Sequence, residues 1–162
     1  MLIVLVGVVA WWSSYYGNHQ IASVAIRFLH LTGIIMGGGT GLFADRQVLR
    51  AAISAPAERE AVLVTLSRAH AHVISWILIV GITGALMTAA DTATFLVSKV
   101  YWIKMALVGL LIANGIALFF VESRTRRLGA ATEWPRLVLV STISAVLWLT
   151  TLFLGTLLTV AA

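Results

Sequence analysis

Three histidines, one lysine and a run of glycines are the residues here whose types and spacing could do chemistry. His30 lies well inside an apolar stretch that runs from Ile21 to Ala44. An ionisable group in such a stretch is costly and marks a functional position. The bland alternative is an interhelical hydrogen bond. The same stretch carries Gly33, Gly37 and Gly41, spaced by four, with Gly38 and Gly39 beside them. On a helix, small residues at this spacing make one flat face. At about 100° per residue, His30 comes within about 20° of Gly37 and Gly41, so imidazole and glycines share that face. The face suits close packing against another helix. It also suits a planar ligand such as a porphyrin or a quinone.

His70 and His72 open a second apolar run and, being two apart, point in different directions. His70 shares its face with Ile74, Ile77, Gly81 and Gly84, and His72 with Trp76, Ile79 and Thr83. The glycines make His70 the better interior candidate. His72 belongs at the interface or toward lipid, and both could be plain interfacial residues beside an arginine-rich segment. The candidate metal ligands are thus His30, His70 and His72. Lys104 lies about one turn inside a third run, in Tyr101-Trp102-Ile103-Lys104-Met105. It either snorkels to the interface beside the two aromatics or turns inward as a cation for a propionate, a quinone oxygen or Asp91. Asn114 falls deeper in that run and is expected to bond a neighbouring helix. The last run holds Ser141, Ser144, Thr150, Thr151, Thr156 and Thr159 but no titratable group, and reads as scaffold. Without a deep acidic pair, a cation-coupled transporter is disfavoured.

The elements that position these residues follow from composition. The chain has 162 residues, 60% hydrophobic and 10% charged, and no Cys. A soluble domain is usually about 25% charged. Thiolate metal sites and thiol redox chemistry are excluded. Four runs are long enough to span a bilayer: Ile21–Ala44, Ala71–Ala90, Val100–Val121 and Leu137–Ala161. They lack the alternation of barrel strands, so they are helices. The expected fold is an all-α integral membrane protein, a four-transmembrane-helix bundle (residues 21–161) with an additional N-terminal apolar helix (residues 1–20), in a single membrane domain. Residues 1–16, with Trp11-Trp12 and Tyr15-Tyr16, read as an interfacial helix or a fifth span.

The formal net charge is +5, and eight of the eleven Lys and Arg fall in two segments. Arg46, Arg50, Arg59 and Arg68 lie between the first two runs; Arg124, Arg126, Arg127 and Arg136 lie between the last two. These read as topology signals rather than as a nucleic-acid surface. The positive-inside rule puts loops 45–70 and 122–136 in the cytoplasm and the C-terminus outside. Pro56 and Pro135 both fall in those loops, and Pro56 marks the first hairpin turn. Counted from that turn, His30 and His70 differ in height by about 12 residues, roughly 18 Å. That argues against a haem held by both. The polar residues instead fall into an outer layer of His30, Lys104 and Asp91, and an inner layer of His70, His72 and Glu122. No P-loop, nucleophile elbow or HExxH motif is present.

The stretch Arg27-Phe28-Leu29-His30-Leu31-Thr32-Gly33, its trailing glycines and Asp45-Arg46 resemble the first helix of a group of small bacterial membrane proteins. That group includes copper-resistance protein D-type domains and the membrane protoporphyrinogen oxidase. Gly84 through Asp91, Trp102-Ile103-Lys104-Met105 and Asn114-Gly115 look like its uncharacterised members. The resemblance covers roughly residues 25 to 120. It implies b-type haem or porphyrin binding, with His30 as the residue carried over and Lys104 matching a third-helix lysine of the oxidase. That oxidase has a further His where this chain has Asn114. Met36, Met87 and Met105 are scattered and make no outer copper ligand set. The function expected is a b-type haem-binding protein of the bacterial inner membrane with an electron-transfer or redox role. The glycines would admit the macrocycle, and quinone is a further cofactor. The alternative is a non-enzymatic membrane component, a small transporter or channel or an accessory subunit. The expected partners are the lipid bilayer and either a second copy or a larger membrane complex.

Overall fold

A computed structural model describes residues 2–161. Six helices follow in order: α1 (Leu2–Asn18), α2 (Gln20–Ala51), α3 (Pro56–Ala90), α4 (Thr92–Val97), α5 (Lys99–Leu128) and α6 (Ala130–Ala161). Four of them are long and apolar enough to cross a membrane, over Gln20–Ala51, Ala57–Ala90, Lys99–Leu128 and Thr132–Leu158. The apolar helices fit a bilayer environment, and the chain reads as a multi-pass membrane protein.

The helices run beyond the apolar stretches at the arginine-bearing end. The expected loop 45–70 is helical except at residues 52–55, and Pro56 opens α3 at a position where its missing N–H costs nothing. The expected loop 122–136 is corrected more strongly. The turn there is Gly129 alone, with φ 93, a backbone conformation open to glycine. Pro135 does not mark the loop; it lies inside the second turn of α6. Near a helix N-terminus it forfeits only one backbone bond. The polar ends stay helical because their arginines bond inward. Arg59 donates to the carbonyls of Ala51, the last residue of α2, and Ala52, which follows it, at 3.1 and 3.0 Å, and lies over the Trp134 ring. Arg126 donates to the Leu63 carbonyl, and Arg124 and Arg136 both pair with Glu133. Both arginine turns therefore sit at one end of the bundle, tied to each other.

Helices α2 and α3 form one antiparallel hairpin, α5 and α6 another. The hairpins join through α2 against α6, while α3 meets α5 and α6 only sparsely. The seam of α6 is a heptad-like series: Leu137, Ser141, Ser144, Trp148, Thr151, Gly155 and Leu158. Its large member, Trp148, lies flat against bare α2 backbone. A Cβ on Gly38 would sit 3.1 Å from the Trp148 ring, and one on Gly41 2.9 Å from its Nε1. On the α3 side, a Cβ on Gly37 would sit 2.9 Å from the Trp76 Cβ, and one on Gly33 2.6 Å from a Val80 methyl. Below this level the core is Ala44, Val48, Ala51, Leu63, Leu66, Leu118, Trp134 and Leu137. The short α1 packs on the last turns of α3: Trp12 Nε1 donates to the Leu86 carbonyl at 2.8 Å and Ser13 Oγ to that of Ala90 at 2.7 Å.

Overpacking a close helix crossing costs typically about 1–3 kcal/mol. Gly37→Val is expected to lower stability by about that much in thermal unfolding of the purified protein in detergent. Gly39→Val, on the same helix but with nothing within 4 Å of its Cβ position, is expected to unfold close to wild type. Equal losses in the two variants would mean that the glycines do not set the approach of α2.

Candidate functional site

The seam of the bundle carries two polar layers, and every one of the four long helices contributes to each. In the outer layer, His30 of α2 meets Thr83 of α3, with Nδ1 2.9 Å from Oγ1. The ring also stands over Gly84, whose missing side chain makes room for it: a Cβ there would lie 3.2 Å from Cε1. The direction of the hydrogen bond follows by counting protons. Thr83 has one hydroxyl proton, and it goes to its own helix, to the Ile79 carbonyl at 2.7 Å. Thr83 must therefore accept, and His30 Nδ1 carries the proton. In this tautomer Nε2 is the ring nitrogen that can accept a proton or bind a metal.

Lys104 of α5 completes the layer with Thr151 of α6. Its Cε and Nζ lie 3.9 Å from the Cβ position of Gly155. The lysine therefore turns inward across α6, the second of the two orientations that the sequence leaves open. Its charge acts on His30. None of the ion pairs among the described residues includes it. Thr151 Oγ1, one turn from Gly155, is buried and lacks a hydrogen-bond partner. Asp91 is not part of this layer. Its carboxylate caps the short helix α4, accepting from the Thr94 amide at 3.2 Å. That cap and that helix are invisible to a search for apolar runs, because α4 has only six residues.

In the inner layer, His70 Nδ1 lies 2.8 Å from Glu122 Oε2, and Glu122 also holds Arg126 at 2.7 Å. Glu122 engages His70 through Nδ1, while His70 Nε2 is buried without a hydrogen-bond partner. His72 is an exposed helix-surface residue whose Nε2 accepts from Trp76 Nε1 at 3.0 Å. His70 stands thirteen residues from Thr83 on the same helix, roughly 20 Å, which confirms that the layers are separate. The glycine face meets side chains of the neighbouring helices: Gly33, Gly37, Gly38 and Gly41 pack on Val80, Trp76 and Trp148. No cluster of three or more His, Cys, Asp or Glu among the described residues could hold a metal ion. Asn114 donates to the Val140 carbonyl at 3.2 Å, the interhelical bond expected of it.

Sequence reasoning missed one residue. Asp45 is 1% exposed and stands opposite Ser141 and Ser144 of α6. Its helical register with Gly38 and Gly41 was the available signal, masked by its position at the end of the apolar run.

No family model, curated protein or solved structure matches the chain.

Removing the acceptor of a part-buried N–H costs about 1–3 kcal/mol. Thr83→Val is expected to destabilise the protein in that range, and Thr83→Ser to restore it, in thermal unfolding. If valine is as stable as threonine, His30 is not oriented by this bond.

Proposed function

We propose that this chain is a membrane redox component in which His30 and Lys104 hold a lipid-soluble cofactor in the outer layer. One observation carries the reading: Thr83 holds His30 through Nδ1 in the same layer as Lys104, which enters no ion pair among the described residues. A ligating histidine ordinarily donates its other ring N–H to a neighbour, which is the role Thr83 plays. The group that this pair fits best is b-type haem. His30 would hold the haem iron through a ring nitrogen and Lys104 would neutralise a propionate. When bound, the haem would supply one-electron chemistry. A quinone fits the same pair through its oxygens. The resemblance of residues 25 to 120 to haem- and porphyrin-handling membrane proteins supports the choice. The glycine face plays no part in it, because the indoles already fill that space.

A second reading has its own observation. Trp76 and Trp148 close the core, and His70 is paired through Nδ1 with Glu122. A non-enzymatic membrane component, either a small channel or an accessory subunit, would then use His30 only to tie α2 to α3. In both readings the arginine turns face the cytoplasm, both ends of the four-helix bundle lie outside, and α1 with its Trp and Tyr cluster rests at the outer interface of a bacterial inner membrane.

The visible spectrum of protein purified from haem-supplied cells separates the two. A Soret band is expected, lost in His30→Ala and retained with weaker haem binding in Lys104→Gln. Colourless protein that also releases no quinone on solvent extraction would sink the redox reading. For topology, a reporter inserted after Ala57 is expected to read cytoplasmic, and a periplasmic signal would reverse the orientation.

A further inference from the structure

The inner layer contains a buried acid that the outer-layer reading does not use. Asp45 lies on the seam of α2, one turn below Gly41, and is 1% exposed. Facing it on α6 are Ser141, which is fully buried, and Ser144. Asp45 Oδ2 and Ser141 Oγ are both buried without a hydrogen-bond partner. The other buried acids have cations beside them: Glu122 has Arg126 and His70, Glu133 has Arg124 and Arg136. Asp45 appears in none of these ion pairs. The titratable groups that surround it are His70 of α3, which acts on it electrostatically, and behind His70 the Glu122–Arg126 pair of α5; α6 offers hydroxyls only.

A carboxylate in such a place, with serine hydroxyls but no cation paired to it, is disfavoured, and it is relieved by taking up a cation. A proton is the smallest that will serve. On Oδ2 it removes the buried charge, and the neutral carboxyl gains an O–H that can donate to a facing serine oxygen while its other oxygen still accepts. We propose that Asp45, Ser141 and Ser144 form a proton-binding site, which exchanges its proton with the arginine-rich face along His70 and Glu122. The line runs from Glu122, 4% exposed beside the 37% exposed Arg126 side chain, to His70 at 15%. His70 Nε2, buried and without a hydrogen-bond partner, is the open position in that line. Only H+ is bound and released, and no co-reactant is needed. The site stands apart from His30 and Lys104 and does not depend on what they bind.

Infrared difference spectroscopy of the whole protein in lipid nanodiscs tests this between about pH 5 and pH 9, where a buried carboxyl titrates. A C=O band of a protonated carboxyl is expected to shift in D2O and to fade as pH rises. It should be missing in Asp45→Asn and move in frequency, without loss, in Ser141→Ala. Helicity and elution volume check that both variants fold. After a pH jump the band is expected to recover about tenfold more slowly in His70→Phe than in wild type. The proposal fails if no carboxyl band titrates, if the band survives in Asp45→Asn, or if sodium at constant pH removes it, which would mark a metal-cation site. An unchanged recovery rate in His70→Phe would overturn the exchange route.

Discussion

The bundle depends on one contact, the Trp148 indole lying against α2 where Gly38 and Gly41 lack side chains. Inside lipid, water exclusion gives helices little reason to associate, and close packing and hydrogen bonds must do so instead. A large flat ring on a bare backbone gives dense van der Waals contact at short interaxial distance. This contact joins the two hairpins, since α3 adds little to the contact between them. It also sets the spacing at which the polar layers above and below can form. His30 and Lys104 sit on the outer side of the indole, Asp45 and the serines on the inner side.

Polar groups in these layers are satisfied to different degrees, and the difference separates framework from function. Glu122, Glu133, Arg59 and Arg126 hold one another or backbone carbonyls at the arginine-bearing end. They tie turns together and stop helix ends from fraying. His70 Nε2, Thr151 Oγ1 and Asp45 Oδ2 are left with unused capacity, and Lys104 enters no ion pair among the described residues. A buried polar group without a partner costs free energy that folding must offset elsewhere. Such groups are where a membrane bundle is able to interact with something other than itself.

The four helices were legible because span length and the absence of alternation leave little choice of structure in lipid. The separation of His30 from His70 was legible from residue counting alone, and so was the bond made by Asn114. Helix ends were not, because apolarity marks the bilayer rather than the helix. Residues 45–51 and 122–128 are polar and helical at once. Pro135 read as a loop because proline disfavours helix interiors, but it stands within the first two turns of its helix, where little is lost. The glycine face was seen; its occupant was not, since nothing local in Trp148 or Trp76 says which helix each will meet. The burial of Asp45 was not legible for a similar reason. Whether an acid at the edge of an apolar run meets water or serines depends on a helix that lies about one hundred residues further on.

The spatial order α3–α2–α6–α5 has a consequence for assembly. Each hairpin satisfies its backbone within its own helices, so each is a complete object in a bilayer before it meets the other. The chain between them, α4 and its flanks, is short and makes few contacts. Synthesis would deliver the pair α2–α3 first and the pair α5–α6 second, and the indole seam would close last. A protein built in this way is a dimer of hairpins written on one strand, and its weakest line runs through the middle of its polar core.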